Sequence, residues 1–279
     1  MAGIASASQL REAILARYES LSPRLQQIAQ FVLDDPHSTG VETLAVLSER
    51  IKVPPSAIVR FAKTFGFEGA APMQRLLKDG LLATSTASAY HQRVRSFSAS
   101  AGGDPTPGPR QLLEEFAQSS ILALDHLAQA IPETVLTRAL DLIVAAGTVH
   151  VCGFRRSYPV AAYLTYLLQQ AGKRTALIDG VGGYTMQAAG QIRSDDLLVV
   201  ISYSPYATEA IGIADSAFAQ GARILAITDS PVSAVARHAN CVIDVRDGNA
   251  RGFRNLTASM CVCQSLAISY AIQSDMSGS

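Results

Sequence analysis

The chain has 279 residues, of which 48% are hydrophobic and 16% charged, with 23 basic and 23 acidic side chains. This composition excludes an intrinsically disordered chain, and the balanced charge excludes a polybasic binder of nucleic acid or membrane while leaving room for a local basic surface. The sequence has no run of about 18 apolar residues and no signal-peptide pattern at its start, so we expect a cytoplasmic protein without a membrane partner.

Cysteines and histidines are few and scattered. Cys261 and Cys263 stand in a Cys-x-Cys spacing that zinc ribbons do not use, and no two histidines share ligand spacing on a predicted helix. The sequence therefore predicts buried reduced thiols, no metal site and no cofactor.

Residues 84–110 differ from the rest of the chain because they are rich in Ser, Ala, Gly and Pro and nearly lack large apolar side chains. Such a segment cannot bury enough surface to offset the entropy of ordering it. We therefore expect a flexible linker between an N-terminal domain at 1–83 and a C-terminal domain at 111–279.

Before this linker, apolar residues recur at helical spacing. The pattern over 25–33 predicts a helix that stops at Pro36, and the pattern over 44–51 predicts a second helix. Thr43 is suited to cap the second helix, with Thr39 and Glu42 as a rival capping box. These short helices indicate a small all-α bundle.

A third helix follows the break at Pro54-Pro55 and ends at Gly66. It is separated from the second by a short turn, as in a helix-turn-helix. One face is apolar, and the other, with the turn, carries a polar and basic strip: Lys52, Ser56, Arg60, Lys63 and Thr64. Such a strip is suited to phosphates and base edges in a major groove, although a solvated face of a structural bundle would look the same.

The string VPPSAIVRFAKTFGFEG, residues 53–69, resembles the helix-turn-helix of the RpiR family of bacterial transcriptional regulators. Arg60, Phe61, Gly66 and Phe67 match the family pattern. Three positions depart from it: Pro54 replaces a Ser cap, Ala57 replaces a Thr and loses one expected phosphate contact, and Lys52 replaces a turn Gly. The resemblance implies double-stranded operator DNA as a partner.

After the linker, two amphipathic helices precede an alternation of short apolar runs and helices. The predicted strands are 148–152, 175–178, 197–201, 224–227 and 241–245, and a last helix spans 256–272. Runs that are apolar on both faces and alternate with helices indicate a parallel sheet that helices cover on both sides. We therefore predict a three-layer α/β sandwich.

Two strand ends carry polar loops that open helices, at 153–157 and at 202–208. Open α/β sheets bind ligands at the carboxyl ends of their strands, and loop amides at a helix N-terminus favour an anion such as phosphate. Hydroxyl groups are also common as ordinary helix caps, so this reading competes with a purely structural one.

Residues 112–272 resemble the sugar isomerase (SIS) domain of RpiR-type regulators, including the strand end Ile227-Thr228-Asp229-Ser230. The resemblance implies a phosphorylated-sugar effector held by these loops, and the effector residues are then Gly153, Arg155, Ser157, Ser202, Ser204, Tyr206 and Thr208. Arg155 replaces a family Gly, and Pro205-Tyr206 replaces another. Arg155 is suited to bind a phosphate or a carboxylate, although it could equally point to solvent. Sugar acids are therefore among the expected effectors.

The combined expectation is a ligand-responsive transcriptional regulator that forms a homodimer or homotetramer and is not an enzyme. The first alternative is an SIS-type sugar phosphate isomerase, for which Glu209 and His238 are the candidate acid and base. The second is an SIS domain that serves only for oligomerisation.

Overall fold

The computed structural model describes residue 4 and residues 6–82, 107–250 and 253–277. The chain divides into two compact units, with the boundary between Thr106 and Pro107. Most of the predicted linker, up to residue 106, lies outside the described residues. Its last two residues, Pro109 and Arg110, begin a helix instead, because a Pro in the first turn already has the φ angle that a helix requires.

The N-terminal unit contains only helices as regular structure in the residues described. They are α1 (Ala7–Arg17), α2 (Pro23–Asp34), α3 (Pro36–Val41), α4 (Leu44–Ile51), α5 (Pro55–Thr64) and α6 (Ala70–Leu82). The predictions of α2, α4 and α5 are confirmed. Pro36 ends α2 as expected but also opens α3, where the Asp35 carboxylate accepts a hydrogen bond from the Ser38 amide at 2.9 Å.

Helix ends and close approaches set the packing of this bundle. Thr43 caps α4 by accepting a hydrogen bond from the Val46 amide at 3.4 Å. The rival capping box is wrong, since Thr39 lies inside α3 and donates to the Asp35 carbonyl at 2.8 Å. A Cβ at Gly40 would lie 2.8 Å from the Lys78 backbone nitrogen, so glycine lets α3 and α6 approach closely.

The C-terminal unit alternates strands and helices. In chain order it has α7 (Pro109–Ala130), α8 (Glu133–Ala145), β1 (Val149–Gly153), α9 (Tyr158–Gln170), β2 (Thr175–Ile178), α10 (Thr185–Ala189), β3 (Leu197–Ile201), α11 (Thr208–Ala219), β4 (Arg223–Thr228), β5 (Cys241–Asp244), a hairpin of β6 (Asn249–Ala250) and β7 (Phe253–Arg254), and α12 (Thr257–Ser277). Each predicted strand is found within one or two residues of its expected bounds, whereas α10 and the hairpin were not predicted.

The five long strands form one parallel sheet in the order β2-β1-β3-β4-β5. Side chains alternate between two apolar cores: Leu197, Val199 and Ile201 pack with α8, α9 and α12, while Leu198 and Val200 pack with α10 and α11. This arrangement confirms the predicted sandwich with helices on both faces. The strand order reverses between β1 and β3, which is where doubly wound sheets open a ligand crevice.

The cysteines are free thiols, and three of them are buried as predicted. Burial raises the pKa of Cys152 to about 12, so this thiol stays protonated. Cys261 is exposed, which corrects the prediction for that residue. Over the described ranges, no cluster of His, Cys, Asp or Glu is arranged to hold a metal ion, and no helix has the length and apolar character to cross a membrane.

Candidate functional sites

The turn between α4 and α5 explains one departure from the family pattern. Lys52 closes α4 in the left-handed conformation, with φ of 58°, and its amide bonds to the last turn of that helix. Glycine adopts this conformation without strain, whereas another residue pays about 1 kcal/mol. Pro54 then precedes α5 without offering a side-chain cap, and Pro55 occupies the first turn.

Helix α5 presents one apolar and one polar face. Its buried residues are Ala57, Ile58, Phe61 and Ala62. Ala57 therefore faces the bundle, which corrects the expectation that its missing hydroxyl costs a phosphate contact.

The predicted strip lies on the other side of α5. Lys52, Ser56, Arg60 and Lys63 are exposed. Thr64 is half-buried, and its hydroxyl donates to the Arg60 carbonyl at 2.9 Å. The C-terminus of α5 is hydrogen-bonded to α1, because Arg17 donates to the Thr64 carbonyl at 3.0 Å.

The neighbouring Arg50 belongs to the bundle. Its guanidinium pairs with Glu42 at 2.6 Å and with Asp35 at 3.3 Å, and it lies over the ring of Phe31. The exposed basic residues of the predicted strip are therefore Lys52, Arg60 and Lys63.

In the C-terminal unit the two predicted loops lie side by side at the strand reversal. Gly153, the last residue of β1, pairs in register with Ile201, the last residue of β3. Ile201 in turn pairs with Ile227 of β4, so the residues after all three strands emerge at one edge of the sheet. The structure thus brings 153–157 and 202–208 together and adds a third segment, 228–230.

The first loop has two unusual backbone positions. A Cβ at Gly153 would lie 2.8 Å from the Ser157 carbonyl oxygen, so only glycine fits there. Arg155 has φ of 56°, which explains the family Gly at this position and identifies the loop as strained by about 1 kcal/mol or more. Its exposed guanidinium lies 3.7 Å from the Glu209 carboxylate at the start of α11.

The second loop is folded around hydrogen bonds to one carboxylate. Asp229, just past β4, accepts the Ser204 amide at 3.2 Å and the Tyr206 hydroxyl at 3.1 Å. Ser202 accepts the Ala207 amide at 3.3 Å, and the Ser204-Pro205 peptide bond is cis. Asp229 belongs to the strand-end motif Ile227-Thr228-Asp229-Ser230, and its role in holding the second loop is visible only in the folded structure.

Two hydroxyl groups in this crevice make no hydrogen bond within the part of the chain that the structure describes. Ser157 is buried, and neither its hydroxyl nor that of Ser204 has a hydrogen-bond partner among the residues that the structure describes. Thr208 begins α11 and donates to Glu209 at 3.2 Å, while the buried Tyr206 turns its hydroxyl toward Asp229. Free hydroxyls beside the N-terminus of a helix are suited to an anion such as phosphate.

Within the second loop, the side chain of Tyr203 points into the core. Its hydroxyl is hydrogen-bonded to Ser259 of α12, which is bonded in turn to Asp247. Burial raises the pKa of Tyr203, and burial also raises the pKa of Asp247 although Ser259 donates to it. The loop therefore has a buried polar anchor beneath it.

The two candidate isomerase residues are far apart. Glu209 lies in the first turn of α11, beside Arg155. His238 stacks on Phe218, in the last turn of the same helix, with ring centroids 4.0 Å apart, and lies 3.6 Å from Asp215. Nine residues of helix separate Glu209 from Phe218, about 14 Å at 1.5 Å per residue, so the two side chains do not form an acid–base pair.

Comparison with known families matches both units. Residues 8–81 match the helix-turn-helix domain of the rpiR family, and residues 142–269 match the SIS domain. The chain belongs to the RpiR family of helix-turn-helix transcriptional regulators.

Curated relatives of this RpiR-family chain include regulators. It is 24% identical over 241 residues to the HTH-type transcriptional regulator HexR of Pseudomonas aeruginosa, covering 85% of this chain and 78% of HexR. It is 24% identical to the uncharacterized HTH-type transcriptional regulator YfhH of Escherichia coli, covering 88% of this chain and 84% of YfhH. A match at 26% identity to the bifunctional protein glk of Paraburkholderia xenovorans covers 81% of this chain but spans only 33% of that protein.

Solved structures share the fold. The sugar isomerase domain of the RpiR transcription factor from Sphaerobacter thermophilus aligns with a TM-score of 0.53 at 23% identity, over 59% of this chain and 90% of that one. The NanR protein of Vibrio vulnificus, complexed with ManNAc-6P, aligns with a TM-score of 0.53 at 18% identity, over 93% of this chain and 90% of NanR.

Proposed function

We propose that this RpiR-family regulator binds double-stranded operator DNA through the α5 strip and senses a phosphorylated sugar or sugar acid in the crevice between the β1 and β3 loops. The observation that carries the effector assignment is the meeting of the two loops at the strand reversal, with the Ser157 and Ser204 hydroxyls unpartnered among the described residues. The complex of NanR with ManNAc-6P supports a ligand of this class, since NanR shares the fold.

The Arg155–Glu209 pair supports an acidic effector. An exposed guanidinium that lies 3.7 Å from one carboxylate can exchange that partner for a ligand carboxylate or phosphate. Gly153, Ser202, Tyr206 and Thr208 then shape the crevice around the ligand. In this proposal the domain senses its ligand and does not convert it, because the two candidate acid–base residues, Glu209 and His238, lie near opposite ends of α11.

On the DNA side, we assign Ser56 and Arg60 of α5 to the major groove and Lys52, Lys63 and Thr64 to phosphate contacts. A homodimer or homotetramer would place two such helices on a palindromic site. Effector binding would then change operator affinity, and operator DNA would change effector affinity by the same factor.

The effector assignment is tested by thermal shift with glucose 6-phosphate, 6-phosphogluconate and N-acetylmannosamine 6-phosphate, each beside its unphosphorylated counterpart. We expect at least one phosphorylated compound to stabilise the wild type and to lose that effect in the Ser202→Ala, Ser204→Ala double variant. A panel without any phosphate-dependent shift, or an undiminished shift in the variant, contradicts the site.

The DNA assignment is tested on duplexes that the full chain selects from a random pool. Arg60→Ala should weaken binding by about 1–3 kcal/mol if Arg60 contacts a base, at constant salt. Arg24→Ala, an exposed Arg of α2, is the matched control and should leave affinity nearly unchanged. Equal effects of the two substitutions would contradict α5 as the recognition helix.

A further inference from the structure

We infer that Asp229 and Arg254 are positioning residues that couple the effector loop at 202–208 to helix α7. This inference rests on the proposed function, because it assigns a regulatory route to the same crevice. It matters for regulation since α7 is the first helix after the segment that joins the two units.

At the effector end, one buried carboxylate holds several parts of the fold. Asp229 accepts the Ser204 amide and the Tyr206 hydroxyl from the loop, as described above. It also pairs with Arg254 of β7, whose Nη2 lies 3.0 Å from Oδ2 of Asp229. Because the three donors share one carboxylate, a change in the conformation of the loop alters the environment of Arg254.

Arg254 is itself enclosed by the loop. Its side chain is only 18% exposed, and its Cζ lies 4.8 Å from the centre of the Tyr203 ring. Tyr203 is in turn anchored through Ser259 to Asp247, which directly precedes the turn into the β6–β7 hairpin. The loop therefore reaches the hairpin by two routes, one through Asp229 and Arg254 and one through Tyr203.

At the other end, the hairpin is packed on α7. Asn255, next to Arg254, closes the hairpin by donating its amide to the Gly248 carbonyl at 2.8 Å. Its side chain donates to the Ser120 hydroxyl of α7 at 3.1 Å. A Cβ at Gly248 would lie 2.6 Å from the Ser119 hydroxyl oxygen, so glycine lets the hairpin pack closely against α7.

These contacts make a continuous path of packed polar groups from Ser204 to Ser120. We therefore expect a break at either end of this path to change the dynamics of the other end. Residues that only stabilise their own surroundings would not show this behaviour.

The test is hydrogen exchange of the full chain without ligand, followed by mass spectrometry of peptides that cover 202–208 and 115–124. Arg254→Met removes the link at the loop end, and we expect exchange in α7 to increase by about twofold or more. Ser120→Ala removes the link at the α7 end, and we expect a similar increase in the effector loop. Arg174→Met, which removes an exposed Arg directly before β2, is the matched control and should change neither peptide.

Faster exchange confined to the mutated end would overturn the coupling, and unchanged exchange in both peptides would overturn the positioning role of the pair. If Arg254→Met does not fold, Arg254→Lys, which keeps the charge but not the forked geometry, and Ser120→Ala decide the matter in the same way. The thermal-shift panel is a separate measurement, so a protein that binds no sugar phosphate but shows reciprocal exchange would refute the proposed function and leave the link intact.

Discussion

Arg155 stands in the left-handed conformation with its guanidinium 3.7 Å from the Glu209 carboxylate, at the mouth of the crevice between β1 and β3. The loop thus bears backbone strain to present a cation where the family pattern has glycine. An exposed ion pair of this kind contributes little to stability, about 0–1 kcal/mol, which leaves the guanidinium free to change partners at little cost.

This relationship predicts the selectivity of the crevice. Glu209→Gln removes the carboxylate that competes for Arg155, so affinity for 6-phosphogluconate should increase about two- to fivefold relative to glucose 6-phosphate. Arg155→Ala should reverse that preference. Titration calorimetry with both compounds measures the ratio, and equal changes for the two ligands would show that Arg155 does not contact the acid.

Alanine substitution should have opposite consequences at Gly153 and at Gly212. Gly153→Ala forces a Cβ to within 2.8 Å of the Ser157 carbonyl, so the loop must shift and the response to sugar phosphate should be lost. Gly212→Ala, in α11, meets nothing closer than 3.8 Å and should raise stability by up to about 1 kcal/mol. Thermal unfolding with and without ligand compares them, and a normal ligand response in the Gly153 variant would remove the first loop from the site.

Replacing Lys52 with glycine should raise stability and lower DNA affinity. Lys52→Gly relieves the left-handed strain at the end of α4, so the free energy of unfolding should rise by about 0.5–1 kcal/mol. The same change removes one phosphate contact, so operator binding should weaken and its salt dependence should fall by about one charge. Urea unfolding and salt-dependent anisotropy measure the two effects. Operator affinity that stays unchanged would place Lys52 outside the interface.

A buried carboxylate predicts how stability depends on pH. Asp196 accepts the Thr148 and Arg193 amides at 2.9 Å and lies 3.3 Å from His150. Burial alone would raise the pKa of Asp196, but these donors outweigh it and hold the pKa below the ordinary 3.8. Its contribution is therefore complete above about pH 4 and is lost as pH falls through the lower folded value.

Asp196→Asn should accordingly lower the free energy of unfolding by about 1–3 kcal/mol at neutral pH. The difference from the wild type should stay constant down to about pH 5 and shrink below about pH 4. Urea titrations at a series of pH values provide the comparison. A difference that grows on acidification would contradict the lowered pKa.

Much of the fold was predictable because local patterns and global packing agree. Strands such as 197–201 are apolar on both faces, as a covered parallel sheet requires, and Thr43 caps α4 as its position suggested. Lys52 and Arg155 replace family glycines, and only the folded structure shows that both adopt the left-handed conformation.

The features that the sequence did not predict depend on contacts between residues that are distant in the chain. Asp229 and Arg254 lie 25 positions apart, and each alone looks like an ordinary charged residue near a strand end. Arg50 is close in sequence to the basic strip, and its pairing with Glu42 and Asp35 is not visible until the bundle is folded. Pro36 was read as a stop, although a Pro can end one helix and begin the next.

The central claim, that a sugar phosphate in the β1–β3 crevice controls operator binding, is tested most directly by one titration. Operator selected by the full chain is titrated by fluorescence anisotropy with and without the phosphorylated compound that gives the largest thermal shift. The wild-type Kd should change by about fivefold or more, and the Ser202→Ala, Ser204→Ala variant should bind the operator as tightly as the ligand-free wild type without responding. A wild-type Kd that the ligand leaves unchanged, or a variant that responds like the wild type, would contradict the account.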